Sequence, residues 1–149
     1  MMSEGSTVRV LRCRSGALEW AITEVALREV LPAGPAARIP GTVGAVRGLG
    51  NVRGMLLTVL DAGLILGQPV GAPDAALVVV EVAGRRVALA VDEVDDLYPI
   101  PIESLEPAAP VAGVPERAVI ARVEGSRPFL LLDVETLVAP FFVTAPGQP

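Results

Sequence analysis

Apolar residues in this chain fall in short, mostly Val- and Leu-rich runs separated by glycine, and such runs favour strands over helices. Thr7 to Cys13 alternates, with Val8, Val10 and Arg12 on one face and Arg9 and Leu11 on the other. Ser15-Gly16 reads as a turn and Leu18 to Ile22 as the returning strand, with Trp20 in the core. Val25 to Leu31 fits a strand, in which Val25, Leu27 and Glu29 share a face, or a short helix clustering Ala26, Glu29 and Val30. Its short length and the following Pro32 favour extended chain. Val46 with Leu49 to Val52, and Met55 to Leu60, form the arms of a hairpin closing at Gly54. A helical turn over Ala62 to Leu66, ended by Gly67, follows. Ala76 to Val82 and Arg86 to Val91 make a second hairpin around Ala83-Gly84-Arg85-Arg86, extended by Asp92 to Tyr98. Ala118 to Glu124 and Arg127 to Leu132 make a third around Gly125-Ser126, with a short helix at Val134 to Val138. Loops are expected at 32–44, anchored by Ile39-Pro40, at 68–75 and at 99–115, and the end from Pro140 to Pro149 should fray.

Met55-Leu-Leu-Thr-Val-Leu-Asp61 is echoed by Phe129-Leu-Leu-Leu-Asp133. Each is a buried strand ended by an aspartate and followed by a helical turn. Two similar hairpin-rich halves imply an all-β fold of paired small barrels, since closure removes exposed sheet edges. The division is expected near 68–75, giving subdomains 7–67 and 76–138 within one domain of 149 residues, with exchange of terminal strands left open.

Composition narrows the chemistry. Hydrophobic residues at 52% and charged residues at 19% exclude wholesale disorder. A net charge of −5 offers no basic field for nucleic acid. The start of the chain carries Glu4 and no apolar core of a signal peptide, and Met55 to Gly67 is too short to span a bilayer and contains Asp61. The single Cys13 excludes an intrachain disulfide, and a lone thiol fits a reducing compartment. Together these predict a cytoplasmic protein without direct membrane insertion. With no His and no Lys in the chain, Ser-His and Cys-His pairs, a P-loop lysine and a Schiff base are impossible. Asp92, Glu93, Asp95 and Asp96 lack the spacing of a calcium loop and read as a solvated acidic turn. No cofactor and no metal are expected.

Two motifs remain. Leu60-Asp61-Ala62-Gly63 is similar to the Asp-Thr/Ser-Gly signature of single-barrel aspartic proteases, but Ala62 lacks the orienting hydroxyl, and Asp61 is accounted for as a strand-end cap. Asn51-Val52-Arg53-Gly54 sits between glycines at a hairpin tip, where a stiff scaffold can present a recognition loop. The same stretch also fits a plain turn with Arg53 in solvent.

The order of elements from about Thr7 to Val138 resembles the CheW-like domain family, the coupling proteins of bacterial chemosensory arrays. The resemblance is carried by Leu18 to Ile22, Arg28-Glu29-Val30, Ile39-Pro40, Asn51-Val52-Arg53-Gly54, Val59-Leu60-Asp61, Leu66-Gly67, Val91-Asp92-Glu93-Val94 and Leu131-Leu132-Asp133-Val134. Thr58 and Ala62 stand where the family usually has Pro and Leu. The resemblance implies two SH3/OB-like five-stranded β-barrels packed across a third core. It implies a non-enzymatic adaptor that couples the cytoplasmic tip of a chemoreceptor to the regulatory domain of a CheA-type histidine kinase. The groove between the barrels, Leu27 included, would take the receptor helix tip. Arg53 would be held by Glu29, with Asn51 and Gly54 fixing the turn at the seam of the barrels. The kinase would meet the second barrel near Ala76 to Val91. A divergent β-barrel interaction module of another pathway is the alternative.

Overall fold

The computed structural model describes residues 6–32, 44–70 and 76–142. Its strands are β1 (Thr7–Ser15), β2 (Leu18–Thr23), β3 (Leu27–Leu31), β4 (Val46–Val52), β5 (Met55–Asp61), β6 (Ala76–Val82), β7 (Arg85–Val91), β8 (Glu93–Pro101), β9 (Leu105–Glu106), β10 (Val119–Val123) and β11 (Phe129–Leu132). Two short helices follow the aspartate-ended strands: α1 (Ala62–Ile65) after β5 and α2 (Val134–Val138) after β11. The strands build two barrel-like sheets. One has six strands in the order β8-β1-β2-β11-β10-β9, the other five in the order β3-β6-β7-β5-β4.

The two sheets repeat one plan. In each, an outer strand pairs with a hairpin (β8 on β1–β2, β3 on β6–β7), which joins in parallel to a second hairpin (β10–β11, β4–β5). The likeness extends to irregularities. The β4–β5 ladder shifts register between Val46 and Gly48, and the β10–β11 ladder between Val119 and Ala121. The amide of Asp61 donates to the carbonyl of Ala45 at 2.7 Å, and that of Asp133 to Ala118 at the same distance. The echo between the two Leu-rich segments is therefore a real structural repeat.

Strand alternation explains why β11 is apolar throughout and β6 is apolar but for Glu81 near its end. Val78, Val80 and Val82 face a large shared core with Leu11, Trp20, Ile22, Leu130 and Leu132, contributed by both sheets. The alternate residues Leu77 and Val79 face the interior of the five-stranded sheet with Val52, Leu57 and Val59. Phe129 and Leu131 face the interior of the six-stranded sheet with Val10, Ala21 and Ile100. A strand with a core on each side has no polar face. Trp20 is fully buried, and its indole nitrogen donates to Ser15 Oγ at 3.1 Å. The sheets are also joined by backbone: the turn after α1 crosses the loop before β10 so closely that a Cβ on Gly67 would lie 2.5 Å from Gly113 Cα.

The division of the sheets is not the expected one at 68–75. The five-stranded sheet takes β3 to β7, residues 27–91, and the six-stranded sheet takes the first two strands with the last four. A parallel join cannot be made by a tight turn, so β2 finds its parallel partner β11 at the far end of the chain. Three local expectations change with it. Residues from Glu93 do not extend the β6–β7 hairpin but form β8 against β1. The stretch 99–115 is no plain loop, since β8 runs to Pro101, β9 adds a two-residue edge to β10, and Val114 is buried. The first barrel-like sheet holds six strands rather than five. The expected loops at 32–44 and 68–75, with Ile39-Pro40, lie largely outside the described residues, as does most of the fraying expected from Pro140 to Pro149, of which Phe141 and Phe142 instead pack against the shared core.

Candidate docking site

The β4–β5 hairpin closes on two residues, with Val52 paired to Met55. Arg53 has φ +52° and Gly54 φ +81°. Two successive left-handed residues make the turn that matches strand twist, and its first position normally favours Asn or Gly. A side chain there costs about 1–2 kcal/mol. Ala83-Gly84 forms the same kind of turn in the β6–β7 hairpin, with φ +54° and +78°. Asn51 Oδ1 accepts from the Gly54 amide at 3.0 Å and braces the turn. Arg53 Nε donates to Glu29 at 2.9 and 3.1 Å, one bond to each carboxylate oxygen. The Glu29 side chain is 24% exposed and that of Arg53 76%. The arginine is thus tethered at its Nε while most of its surface faces solvent.

Glu29 reaches the turn because β3 carries a bulge. Leu27 pairs with Val80 and Glu29 with Val79, so two steps on β3 match one on β6. A bulge re-aims the side chains that follow it. Leu27 and Glu29, expected on one face, consequently part company. Leu27 packs against the shared core, whereas Glu29 looks over the interior of the five-stranded sheet, whose mouth it lines with Arg28, Val52, Arg53, Met55, Leu57, Val79 and Arg86. This mouth is a cavity of about 300 Å³. Arg28 and Arg86 both donate to Glu81 Oε1, at 3.2 and 3.0 Å, and hydrogen bonds from Arg86 and then Arg28 hold the Glu81 carboxyl below its ordinary range.

The turn does not sit at the seam of the sheets, as expected, but at the open end of one of them. The seam lies on the other side of β3. There Leu27, Val30 and Ala76 of the five-stranded sheet face Leu11, Val94 and Leu97 of the six-stranded one across a groove of about 680 Å³. Leu27 therefore lines the groove, and Glu29, Asn51, Arg53 and Gly54 gather beside it at the hairpin tip. The expected kinase-facing stretch changes too. The centres of β6 and β7 are buried on both faces, which leaves mainly the tip around Ala83 to Arg86 exposed.

Sequence reasoning missed a second arginine–carboxylate pair at the base of the same hairpin. Arg47 Nε and Nη2 donate to Asp61 Oδ2 at 3.0 and 2.9 Å, and Asp61 Oδ1 caps α1 by accepting from Leu64 N at 3.1 Å. Only 1% of the Asp61 side chain is exposed. It also missed a network on the six-stranded sheet. Arg12, over the Phe129 ring, donates to Glu19 at 3.1 Å and to the Arg127 carbonyl at 2.6 Å, and Arg127 bridges Glu19 and Asp95. An arginine on an alternating strand signals little by itself, because its partner is set by the fold. Among the described residues, no three His, Cys, Asp or Glu side chains converge to hold a metal ion.

The CheW-like domain profile matches residues 9–140. The chain belongs to the CheW-like domain family. It is 28% identical to the chemotaxis protein CheW of Rhizobium meliloti (strain 1021) over 129 residues, 83% of each chain. It is 28% identical to the probable chemotaxis protein CheW of Rhizobium etli over 106 residues, 70% of this chain and 68% of that one. The crystal structure of the scaffolding protein TtCheW from Thermoanaerobacter tengcongensis superposes with a TM-score of 0.78 at 21% identity, covering 96% of this chain and 98% of that one. The mostly-β fold of this CheW-like chain, with its two barrel-like sheets, thus has a solved counterpart. Among the described residues no helix is long and apolar enough to cross a membrane.

Proposed function

We propose that this chain is a non-enzymatic cytoplasmic adaptor that couples a chemoreceptor to a CheA-type histidine kinase. Membership of the CheW-like family and the CheW relatives support a role in chemotaxis signalling. The observation that carries the finer reading is the presentation of Arg53. A left-handed position held by Glu29 and braced by Asn51 stiffens an exposed cation at the open end of the five-stranded sheet, across β3 from the groove. Such a surface recognises a protein partner, with the groove taking the receptor helix tip. The exposed β6–β7 tip is the kinase-facing candidate. The work is geometric: two contacts on one stiff body let receptor state bias kinase activity.

Asp61 argues against the protease alternative. A protease aspartate must be open to its dyad partner and to water, and the Asp61 carboxylate is buried under Arg47 and the Leu64 amide. Co-purification with a CheA-type kinase and a receptor cytoplasmic fragment, followed by receptor-dependent autophosphorylation, tests the role. Arg53→Ala should abolish the receptor-dependent part and leave the circular dichroism spectrum unchanged. Full coupling by that variant removes the turn as a site, and failure to bind either partner removes the adaptor reading in favour of an interaction module of another pathway.

A further inference from the structure

The groove at the seam of the sheets has one-sided chemistry. Its apolar floor and wall come from Leu11, Leu27, Val30, Val94 and Leu97. Among the described residues, every titratable side chain lining it is an acid: Asp92, Glu93, Asp95 and Asp96, all on or beside β8. Among the described residues, two arginines outside the groove lining pair with three of these four. Arg14 lies 3.3 Å from Glu93 and 3.8 Å from Asp92, and Arg127 lies 3.3 Å from Asp95 while also holding Glu19 at 3.1 Å. Asp96 is exposed and enters none of the ion pairs among the described residues. Among the described residues the carboxylates therefore line one wall, Asp95 and Asp96 exposed on it, with apolar surface opposite.

We propose that the groove takes an amphipathic helix whose apolar ridge is flanked on one side by Lys or Arg, and that Asp95 and Asp96 select it by charge. This rests on the docking role proposed above and adds the chemistry of the occupant. The apolar floor supplies contact area that any greasy helix could use, so it discriminates poorly. The acidic wall supplies the discrimination, because a Glu-flanked helix would bring like charges together as it desolvates them. The mouth on the far side of β3 differs: its three arginines are held by carboxylates, Arg53 by Glu29 and both Arg28 and Arg86 by Glu81. The acidic wall thus marks the groove side of the strand for a helix with one basic flank.

Two synthetic helical peptides with the same Leu/Val ridge, one flanked by Lys and one by Glu, test this against the full chain by amide chemical shifts. The Lys peptide should shift Leu27, Val30 and Leu97 and weaken roughly tenfold as NaCl rises from about 50 to about 300 mM. The Glu peptide should bind at least about tenfold less tightly, and Asp95→Lys/Asp96→Lys should invert the preference. Asp96→Lys alone, which disturbs no ion pair among the described residues, should reduce the preference and serves if the double variant fails to fold. Equal binding of the two peptides, shifts elsewhere, or an unchanged preference in the charge-reversed variants overturns the inference. So would self-association in sedimentation together with concentration-dependent shifts of the same residues without any peptide. If these fail while Arg53→Ala still uncouples the kinase, the adaptor reading stands and only the charge selection falls.

Discussion

One hairpin carries two arginines whose carboxylate partners differ in burial, Arg47 with Asp61 of the hairpin itself and Arg53 with Glu29 of β3, and comparing them separates shape from recognition. At the base, Asp61 is 1% exposed and Arg47 16%. Arg47→Ala leaves a buried carboxylate with only the Leu64 amide and its remaining contacts to stabilise it. Stranding one member of a buried pair costs about 3–5 kcal/mol. At roughly 3 °C per kcal/mol for a chain of this size, Tm should fall by about 10 °C. At the tip, Arg53 is 76% exposed, so Arg53→Ala should cost at most about 1 kcal/mol. Arg53→Gly should be neutral or stabilising by up to about 1 kcal/mol, because glycine relieves the left-handed strain that both arginine and alanine bear. Urea denaturation of the three variants, with the slope checked for constancy, reads these differences. Equal losses for Arg47→Ala and Arg53→Ala would refute the assignment of one pair to the scaffold and the other to the surface. A destabilised Arg53→Gly would show that the Glu29 bond contributes more than the strain costs.

Other outcomes follow from the same structure. Gly67→Ala, at φ +76° and pressed on Gly113, should cost at least about 1–3 kcal/mol in chemical denaturation, whereas Gly84→Ala, with open space around it, should lose only the smaller backbone term. Cys13 is buried, and burial first, with Asp95 second, pushes its thiol pKa well up. Ellman's reagent at pH 8 should therefore leave the native protein unmodified and titrate one thiol in urea. Burial raises the Glu19 carboxyl, but hydrogen bonds from Arg127 and Arg12 outweigh it and leave the group below its ordinary range. A carboxyl lower in the folded than in the unfolded chain adds stability above the unfolded value, lost as pH falls through the folded one. Glu19→Gln should thus flatten the acid limb of the stability–pH curve below about pH 4.3. Trp20→Phe should cost about 1–3 kcal/mol by leaving buried Ser15 without its indole donor, measured by thermal melting.

Strand positions were legible in the sequence because alternation and glycine turns are local signals. Ala76–Val82, Val134–Val138 and the β10–β11 hairpin lie within a residue or two of their expected places. The Arg53–Glu29 contact was expected from the resemblance rather than from the spacing of those two residues, and the coordinates place it at 2.9 Å. What was not legible was pairing between distant strands. The parallel joins β2–β11 and β5–β7 leave no local mark, so a chain that looks like two consecutive halves folds with its ends together in one sheet and its middle in the other. The bulge in β3 had no sequence signal either, and it is what sends Leu27 and Glu29 to opposite sides of the strand. The acidic residues of β8 were visible as a cluster, but their meaning depends on the groove they border, which exists only once both sheets are assembled.

The parallel seam between β2 and β11 has a consequence for synthesis. As the chain leaves the ribosome, every strand of the 27–91 sheet emerges before β8, so that sheet can close early. The N-terminal hairpin must wait for β11, more than about one hundred residues later, which at ordinary elongation rates is on the order of five to twenty seconds. Through that interval the greasy faces of Trp20 and Ile22 have no finished wall to rest on. Nascent chains of this protein should be clients of holding chaperones until nearly the last strand is made, and a stop codon a few residues before Phe129 should yield an insoluble product rather than a shortened working one.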